Sequence, residues 1–343
     1  MGRKELISVI VCTYNQEGTI ARTLDSILRQ DCHVPIEILI GEDCSSDHTL
    51  DVCRQYAEKY PDVIRLFANK PNKGIVNNYF DCLLAAQGKY IADCAGDDEW
   101  SDPQKLEKEL CILEAHPEVT IVHTNYLHRD AITGLLSSPH PHPCFHLAEG
   151  EMTIVDGQTL LIPILTQLSR PIIHLCTALY RTDVMLKAYH AHTSFMRNKD
   201  YGCEDVQVSL MLARAGKVAY LNEKTLYYTT GGATISSTHD DAKQFRFVKN
   251  VTQLGYDLSQ TFGIQDKKLQ EYFDYRVYAL LMHAFRAHNA ELRAEALLCQ
   301  RQWKAHLNMK AQRVKTVTSI PFLWSCALAF RKMFVLNSHH CHE

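Results

Sequence analysis

The stretch LISVIVCTYN, residues 6–15, decides the fold. Its first seven residues are an apolar, β-branched run ending at the polar Thr13-Tyr14-Asn15, which reads as a buried strand running into a loop. From Glu17 to Arg29 the apolar positions Ile20, Leu24, Ile27 and Leu28 recur at helical spacing, and the next buried run is Ile36-Glu37-Ile38-Leu39-Ile40. This is a β-α-β unit. The pattern repeats as a helix over 47–60, a strand over 63–67, a helix over 74–86, a strand over 90–93, a helix over 104–115 entered by Asp102-Pro103, and a strand over 119–125. Such alternation predicts an α/β fold with a mostly parallel sheet and helices on both faces. Functional residues of these sheets collect at the carboxyl ends of strands, so Thr13–Asn15, Glu42–Asp47 and Asp97–Trp100 are expected to share one crevice.

Further along, residues 134–150 hold prolines and histidines without periodicity and read as a long loop over the site. Regularity returns with a strand over 175–181, a helix over 205–215 and strands over 218–221 and 226–229. After Asp240 the chain turns mostly helical, with helices over 272–288 and 290–306, so a catalytic domain over 1–238 and a helical C-terminal appendage over 239–343 are expected. Residues 320–336 combine aromatic and aliphatic bulk with Arg331-Lys332, too short and interrupted to span a bilayer. Two readings stand for them: a helix in a membrane interface, or one packed on the catalytic domain or a second subunit.

Composition bounds the rest. The 343 residues are 46% hydrophobic, enough for one large or two modest cores, which excludes a collagen, a disordered tail or a disulfide mini-protein. A net charge of −3 is too balanced to neutralise many phosphates, so nucleic-acid binding is set aside. The 13 cysteines lack CxxC pairing, and Cys12, Cys53 and Cys82 lie in apolar runs, so they read as reduced thiols. The opening residues have too short an apolar run for a secretory signal, so the expected location is the cytoplasm, with the interfacial reading of 320–336 adding peripheral contact with the cytoplasmic membrane face.

Three acidic clusters carry candidate chemistry. Asp97-Asp98-Glu99 follows a strand, and adjacent carboxylates there repel one another unless a cation or donor-rich ligand sits between them. A divalent metal bridging a diphosphate satisfies them, and hard oxygen ligands select Mg²⁺ or Mn²⁺ over zinc; the plain alternative is a solvated turn capping the helix near Pro103. In Glu42-Asp43-Cys-Ser45-Ser46-Asp47, Asp47 or Ser46 caps the next helix, leaving Asp43 free to accept from a base or ribose. Glu204-Asp205 opens an apolar-periodic helix, where the helix terminus favours a carboxylate, depresses its pKa and keeps it ionised, as a general base requires. Cap and base are not separable from position alone. Trp100 and Lys105 read as a packing and a helix-surface residue, and Lys73 as a partner for a phosphate or a local carboxylate.

Taken in order, the motifs Ser8-Val-Ile-Val-Cys-Thr13-Tyr14-Asn15-Gln-Glu17, Glu42-Asp43-x-Ser45-x-Asp47, Asn72-Lys-Gly74, Gly88-Lys-Tyr-Ile-Ala, Gly96-Asp97-Asp98-Glu-Trp100-Ser-Asp-Pro-x-Lys105-Leu and Glu204-Asp205 resemble a family 2 glycosyltransferase of the GT-A fold. The resemblance is dense over 6–125, thinner over 173–232, and does not reach the helical C-terminus. It implies a Rossmann-like GT-A domain and inverting transfer of a sugar from a nucleotide-diphosphate donor, a UDP-sugar first, to a glycan or lipid-linked sugar acceptor in surface polysaccharide synthesis. By position, Thr13, Tyr14, Glu17 and Asp43 line the nucleotide pocket, Asp97 binds the metal, Asp98 lies beside donor sugar and diphosphate, and Asp205 is the base. A homo-oligomer stays open.

Two departures stand out. Ala95 replaces the acidic residue that usually opens the metal motif, and Tyr227-Tyr228-Thr229-Thr230-Gly231-Gly232 replaces a loop that usually carries an Arg and a His, leaving His174 or His239 as substitutes. They favour a rival reading, a non-catalytic nucleotide-sugar or partner binder. A second rival, a nucleotidyltransferase, needs a Gly- and Arg-rich phosphate loop where this chain has Thr13-Tyr14-Asn15-Gln16-Glu17.

Overall fold

Strand β1 (Lys4–Thr13) is buried along most of its length, on both faces, because its neighbours β2 (Ile36–Glu42) and β4 (Gly88–Asp93) pair with it in parallel and helices cover the sheet. In the computed structural model, residues 3–139, 147–167, 172–231 and 240–339 are described. The chain divides into two compact units, Met1–Gly232 and Ala233–Glu343.

In the first unit, α1 (Ile20–Leu28) buries Ile20, Leu24 and Ile27, the positions its helical spacing marks. Helix α2 (Thr49–Lys59), strand β3 (Ile64–Ala68) and helix α3 (Ile75–Ala85) complete the alternation before β4. A short β5 (Glu99–Trp100) precedes α4 (Lys105–Ala115) and the long β6 (Val119–Asp130). Hairpin strand β7 (Leu136–Ser137) pairs with β6, and β8 (Met152–Asp156) pairs with a later strand. Helix α5 (Leu161–Thr166), strand β9 (Ala178–Arg181), helices α6 (Thr182–Ala191), α7 (Thr193–Met196) and α8 (Asp205–Ala215), and strand β10 (Lys217–Thr230) follow. The sheet order is β3-β2-β1-β4-β9-β6-β10-β5, with the long strands paired in parallel and the short β9 inserted antiparallel.

Several expectations change. Strand β10 is continuous where two strands are predicted, because register shifts around Leu221, Lys224 and Leu226 absorb the polar Asn222-Glu223-Lys224 within one ladder to β6. Only Ala178–Arg181 of the 175–181 segment is strand, and Leu175–Thr177 is a single 3₁₀ turn. Part of the 134–150 loop, residues 140–146, lies outside the described residues. Lys105 is not on a helix surface: it is fully buried, 2.6 Å from Glu109, with its ammonium 4.8 Å from the Trp100 ring centroid. An ion pair withdrawn from water in this way lies beyond what helical periodicity reports.

The second unit is helical: α9 (Asp241–Thr261), α10 (Lys267–Arg286), α11 (Ala290–Gln302), α12 (Met309–Val317) and α13 (Pro321–His339). Asp240, Asp266, Asn289 and Asn308 each accept first-turn N–H groups, so four of these helices carry side-chain caps. Trp324 of α13 is buried and donates its indole N–H to the Phe285 carbonyl of α10 at 3.0 Å, while Phe322, Leu323 and Phe330 stay exposed. Among the described residues no helix is long and apolar enough to cross a membrane.

Candidate active site

The loops after β1 and β2 are laced together by their own polar side chains. Asn15 N–H donates to Ser45 Oγ at 2.9 Å and Asn15 Oδ1 accepts from Ser46 N–H at 2.8 Å. Gln16 N–H donates to Thr49 Oγ1 at 2.7 Å, and Glu17 exchanges bonds with the next loop: its N–H donates to Asp47 and its Oε2 accepts from His48 N–H. Asn15 and Cys44 take positive φ of 53° and 64°, the left-handed region that a Cys enters only under constraint. The result is a fixed rim on which Tyr14 stands half exposed while Thr13 is buried and donates to Gln16 Oε1 at 2.8 Å.

Asp43 is not free, contrary to the sequence reading. Its Oδ1 accepts from Asn69 Nδ2 at 3.0 Å and Lys73 N–H at 2.8 Å, and its Oδ2 accepts from Gly74 N–H at 2.8 Å. A carboxylate offers about four acceptor positions, so three are used in holding the β3–α3 loop and about one is left. These donors come from residues 26 to 31 positions downstream, which is why the motif alone does not show them. Lys73 itself pairs with Asp81 at 2.7 Å.

Past β4 the chain turns tightly at Gly96. A Cβ there would stand 2.4 Å from Gln16 Oε1 and 2.7 Å from Thr13 Oγ1, so glycine is required for the loop to lie against β1. Asp97 and Asp98 are held through their backbones: Arg22 donates to the Asp97 carbonyl at 3.1 Å, and Thr23 to the Asp98 carbonyl at 2.6 Å. The Asp98 side chain is buried; Oδ1 accepts from Thr229 N–H at 2.8 Å, and Oδ2 has no partner. Burial, with Asp97 beside it, drives the Asp98 carboxyl well above the usual carboxylate range. Burial likewise raises Asp97, against the opposing pull of Arg22 and a Gln16 hydrogen bond.

Asp205 begins α8 and accepts from Leu175 N–H at 3.0 Å. The expected depression of its pKa is reversed: burial raises it, and the single backbone bond does not compensate. Helix-terminus effects are worth about 0.3–1 kcal/mol at exposed sites, less than withdrawal of a carboxylate from water. Burial and then Asp205 push Glu204 up to about 8, and Asp93, hydrogen-bonded by Tyr79, is raised by burial, Glu204 and Asp205. A second acidic group thus forms where β4 ends beside α8, and Asp205 is close enough to raise Asp98 too.

At the two departures, Ala95 N–H donates to Cys176 Sγ at 3.3 Å, and Tyr228 lies in an aromatic cluster with Tyr126, His128 and His174. The His174 ring is 5.0 Å from that of Tyr228, and its Nε2 is 3.2 Å from Tyr126 Oη. His239 lies outside the described residues. Sequence reasoning gave no role to Gln16, Arg22, Thr229 or Cys176, although Gln16 and Thr229 lie inside segments it quotes; each meets Asp97 or Asp98 from a segment distant in sequence, which no local pattern reports.

A strand-end acidic site on this sheet order is the architecture of GT-A type transferases. TarS of S. aureus, residues 1–349 solved with UDP-GlcNAc, aligns with TM-score 0.51 at 16% identity over 88% of this chain and 93% of that one. The mannosyltransferase PcManGT from Pyrobaculum calidifontis, solved with GDP-Man and Mn²⁺, aligns with TM-score 0.52 at 17% identity over 95% and 87%. The glycosyl transferase family 2 model matches residues 8–186, and the chain belongs to that family. An uncharacterized protein of Mycobacterium tuberculosis is 40% identical over 115 residues, a match spanning 34% of this chain and only 33% of that relative's length. The Escherichia coli UDP-Glc:alpha-D-GlcNAc-diphosphoundecaprenol beta-1,3-glucosyltransferase WfaP is 33% identical over 138 residues, 39% of this chain and 52% of WfaP.

Proposed function

We propose that this chain transfers a sugar, with inversion, from a nucleoside-diphosphate donor, a UDP-sugar first, to a hydroxyl of a glycan or lipid-linked sugar in surface polysaccharide assembly. The observation that carries the reading is the buried, unpartnered Oδ2 of Asp98 beside Asp97 at a strand end. An orphaned carboxylate oxygen in a desolvated pair needs a cation or a ring of ligand hydroxyls, and the two aspartates offer the hard oxygen donors that suit Mg²⁺ or Mn²⁺. Such an ion would neutralise charge building on the departing diphosphate. Tyr14, exposed on the fixed rim, offers a face for the base, with the remaining acceptor position of Asp43 below it. Thr13 and Glu17 hold that rim.

Asp205 takes the proton from the acceptor hydroxyl as its oxygen attacks the anomeric carbon, and the bond from that carbon to the diphosphate oxygen breaks on the opposite face. This single displacement forms no sugar–enzyme bond. A raised pKa suits the role, since a base works best when its pKa nears the working pH. The UDP preference and a lipid-linked acceptor draw support from the activity by which WfaP is named. Peripheral membrane contact through the exposed Phe322, Leu323 and Phe330 of α13 belongs to the same proposal.

The test is calorimetric titration with UDP, GDP and dTDP, each with and without Mn²⁺. Binding of UDP that requires Mn²⁺ is the expected result. Preference for another nucleotide overturns the donor assignment, metal-independent binding overturns the Asp97 role, and absence of binding to all three returns the chain to the non-catalytic reading.

A further inference from the structure

Away from the acidic site, two cysteines, a histidine and a glutamate gather where the connection from α1 to β2 meets α4. Cys32 and His33 lie on that connection, at the amino ends of the parallel strands and so at the opposite end of the sheet from Asp97 and Asp205. Glu107 and Cys111 are one helical turn apart on α4. Ligand atoms of Cys32, His33 and Glu107 all lie within 4.8 Å of one another. Glu107 is the hub: Oε2 accepts from His33 N–H at 3.0 Å and lies 2.8 Å from His33 Nδ1, while Cys111 Sγ is 3.6 Å from Oε1. A Cys32–Glu107 hydrogen bond and the proximity of Cys111 help hold the Cys32 thiol up at about 11, behind the larger effect of its burial.

We propose that Cys32, His33, Glu107 and Cys111 form a structural zinc site that ties α4 to the α1–β2 connection. The donor set of two thiolates, an imidazole and a carboxylate is that of a closed tetrahedral Zn²⁺ centre, not of a Mg²⁺ or Mn²⁺ site. With Zn–S near 2.3 Å and Zn–N or Zn–O near 2.0–2.1 Å, tetrahedral ligand atoms stand about 3.4–3.8 Å apart. Cys32, His33 and Glu107 already group within 4.8 Å, a separation that closes by about 1 Å through side-chain rotation, while Cys111, 3.6 Å from Glu107 Oε1 but outside that group of three, turns in from its exposed position on α4 to complete the tetrahedron. His33 has an outer partner as well: with Nδ1 toward the metal, Nε2 faces Glu114 Oε2 at 3.8 Å, the carboxylate–histidine arrangement that fixes a ligating ring. Binding releases the thiol protons to solvent and changes no oxidation state.

The experiment uses the full chain, reduced and stripped of metal, titrated with Zn²⁺ against a chromophoric chelator and, separately, with Co²⁺ followed by absorption. One equivalent should bind, with a thiolate-to-cobalt band in the near ultraviolet, and Cys32→Ser or Cys111→Ser should weaken Zn²⁺ by about 100-fold or more and remove much of the band. His33→Asn should weaken Zn²⁺ at least about tenfold. Cys326→Ser, which alters an exposed thiol of the other unit, should change neither reading. Failure of the native chain to bind Zn²⁺ in the micromolar range overturns the proposal, as does unchanged affinity in the Cys32→Ser, Cys111→Ser double variant. Circular dichroism of each variant reports its fold independently of metal.

Discussion

Replacing Asp205 by Asn separates two consequences of one buried carboxyl. Asn retains an oxygen for the Leu175 N–H, which Asp205 Oδ1 accepts at 3.0 Å, so the local backbone should hold. Transfer should fall about 10²–10⁴-fold, the usual contribution of a positioned base, equal to about 3–5.5 kcal/mol of barrier, with nucleotide affinity kept within about threefold. Stability should move the other way. Folding raises the pKa of Asp205, and that of Glu204 to about 8, so the folded chain binds more protons than the unfolded one between the ordinary carboxylate range and pH 8. Stability of the native protein therefore declines as pH rises through that window, by about 1.4 kcal/mol for each unit of raised pKa. Asp205→Asn removes one such carboxyl and relieves Glu204, so its advantage over the native chain should be near zero at pH 4 and reach on the order of 1 kcal/mol at pH 8. Urea unfolding of both proteins at pH 4, 6 and 8 in chelator measures it, alongside donor turnover. A stability difference that stays flat with pH, or transfer within threefold of native, would refute the reasoning.

Asp98→Asn should leave thermal stability in chelator unchanged or higher, since the cost of burying a carboxyl whose pKa folding raises is removed, yet weaken Mn²⁺-dependent UDP binding by about tenfold or more; equal affinity by calorimetry would count against the metal role. Lys105→Met should destabilise by about 3–5 kcal/mol at pH 8 because Glu109 is left buried without its cation. Glu109 sits at about 7 with Lys105 present and rises further without it, so protonation should shrink the loss at pH 6, as denaturant midpoints at both pH values will report. The Lys105→Met, Glu109→Leu pair should recover most of that stability. Phe322→Asp with Phe330→Asp should lower co-sedimentation with anionic vesicles while UDP binding stays unchanged; undiminished sedimentation would remove α13 from the membrane proposal.

What the chain by itself determines is whatever short-range pattern encodes. Apolar runs at residues 6–12 and 36–40, and helical spacing between them, specify the β-α-β order, because strand and helix bury different periodicities. That order puts Asp97 and Asp98 at a strand end, and the apolar periodicity that follows Glu204 puts Asp205 at a helix start, which made the three visible as candidates. Tertiary structure decides how each is used. Asp43 is occupied by donors from the β3–α3 loop, Lys105 is buried against Trp100, and the Asp205 carboxyl is raised where the helix terminus alone would lower it. Burial and partnership are long-range quantities: His33 meets Glu107 across 74 residues, and Asp98 meets Thr229 across 131. Desolvation depends on everything packed around a group, so the sign of a pKa shift and the saturation of a carboxylate emerge only when segments distant in sequence close over it.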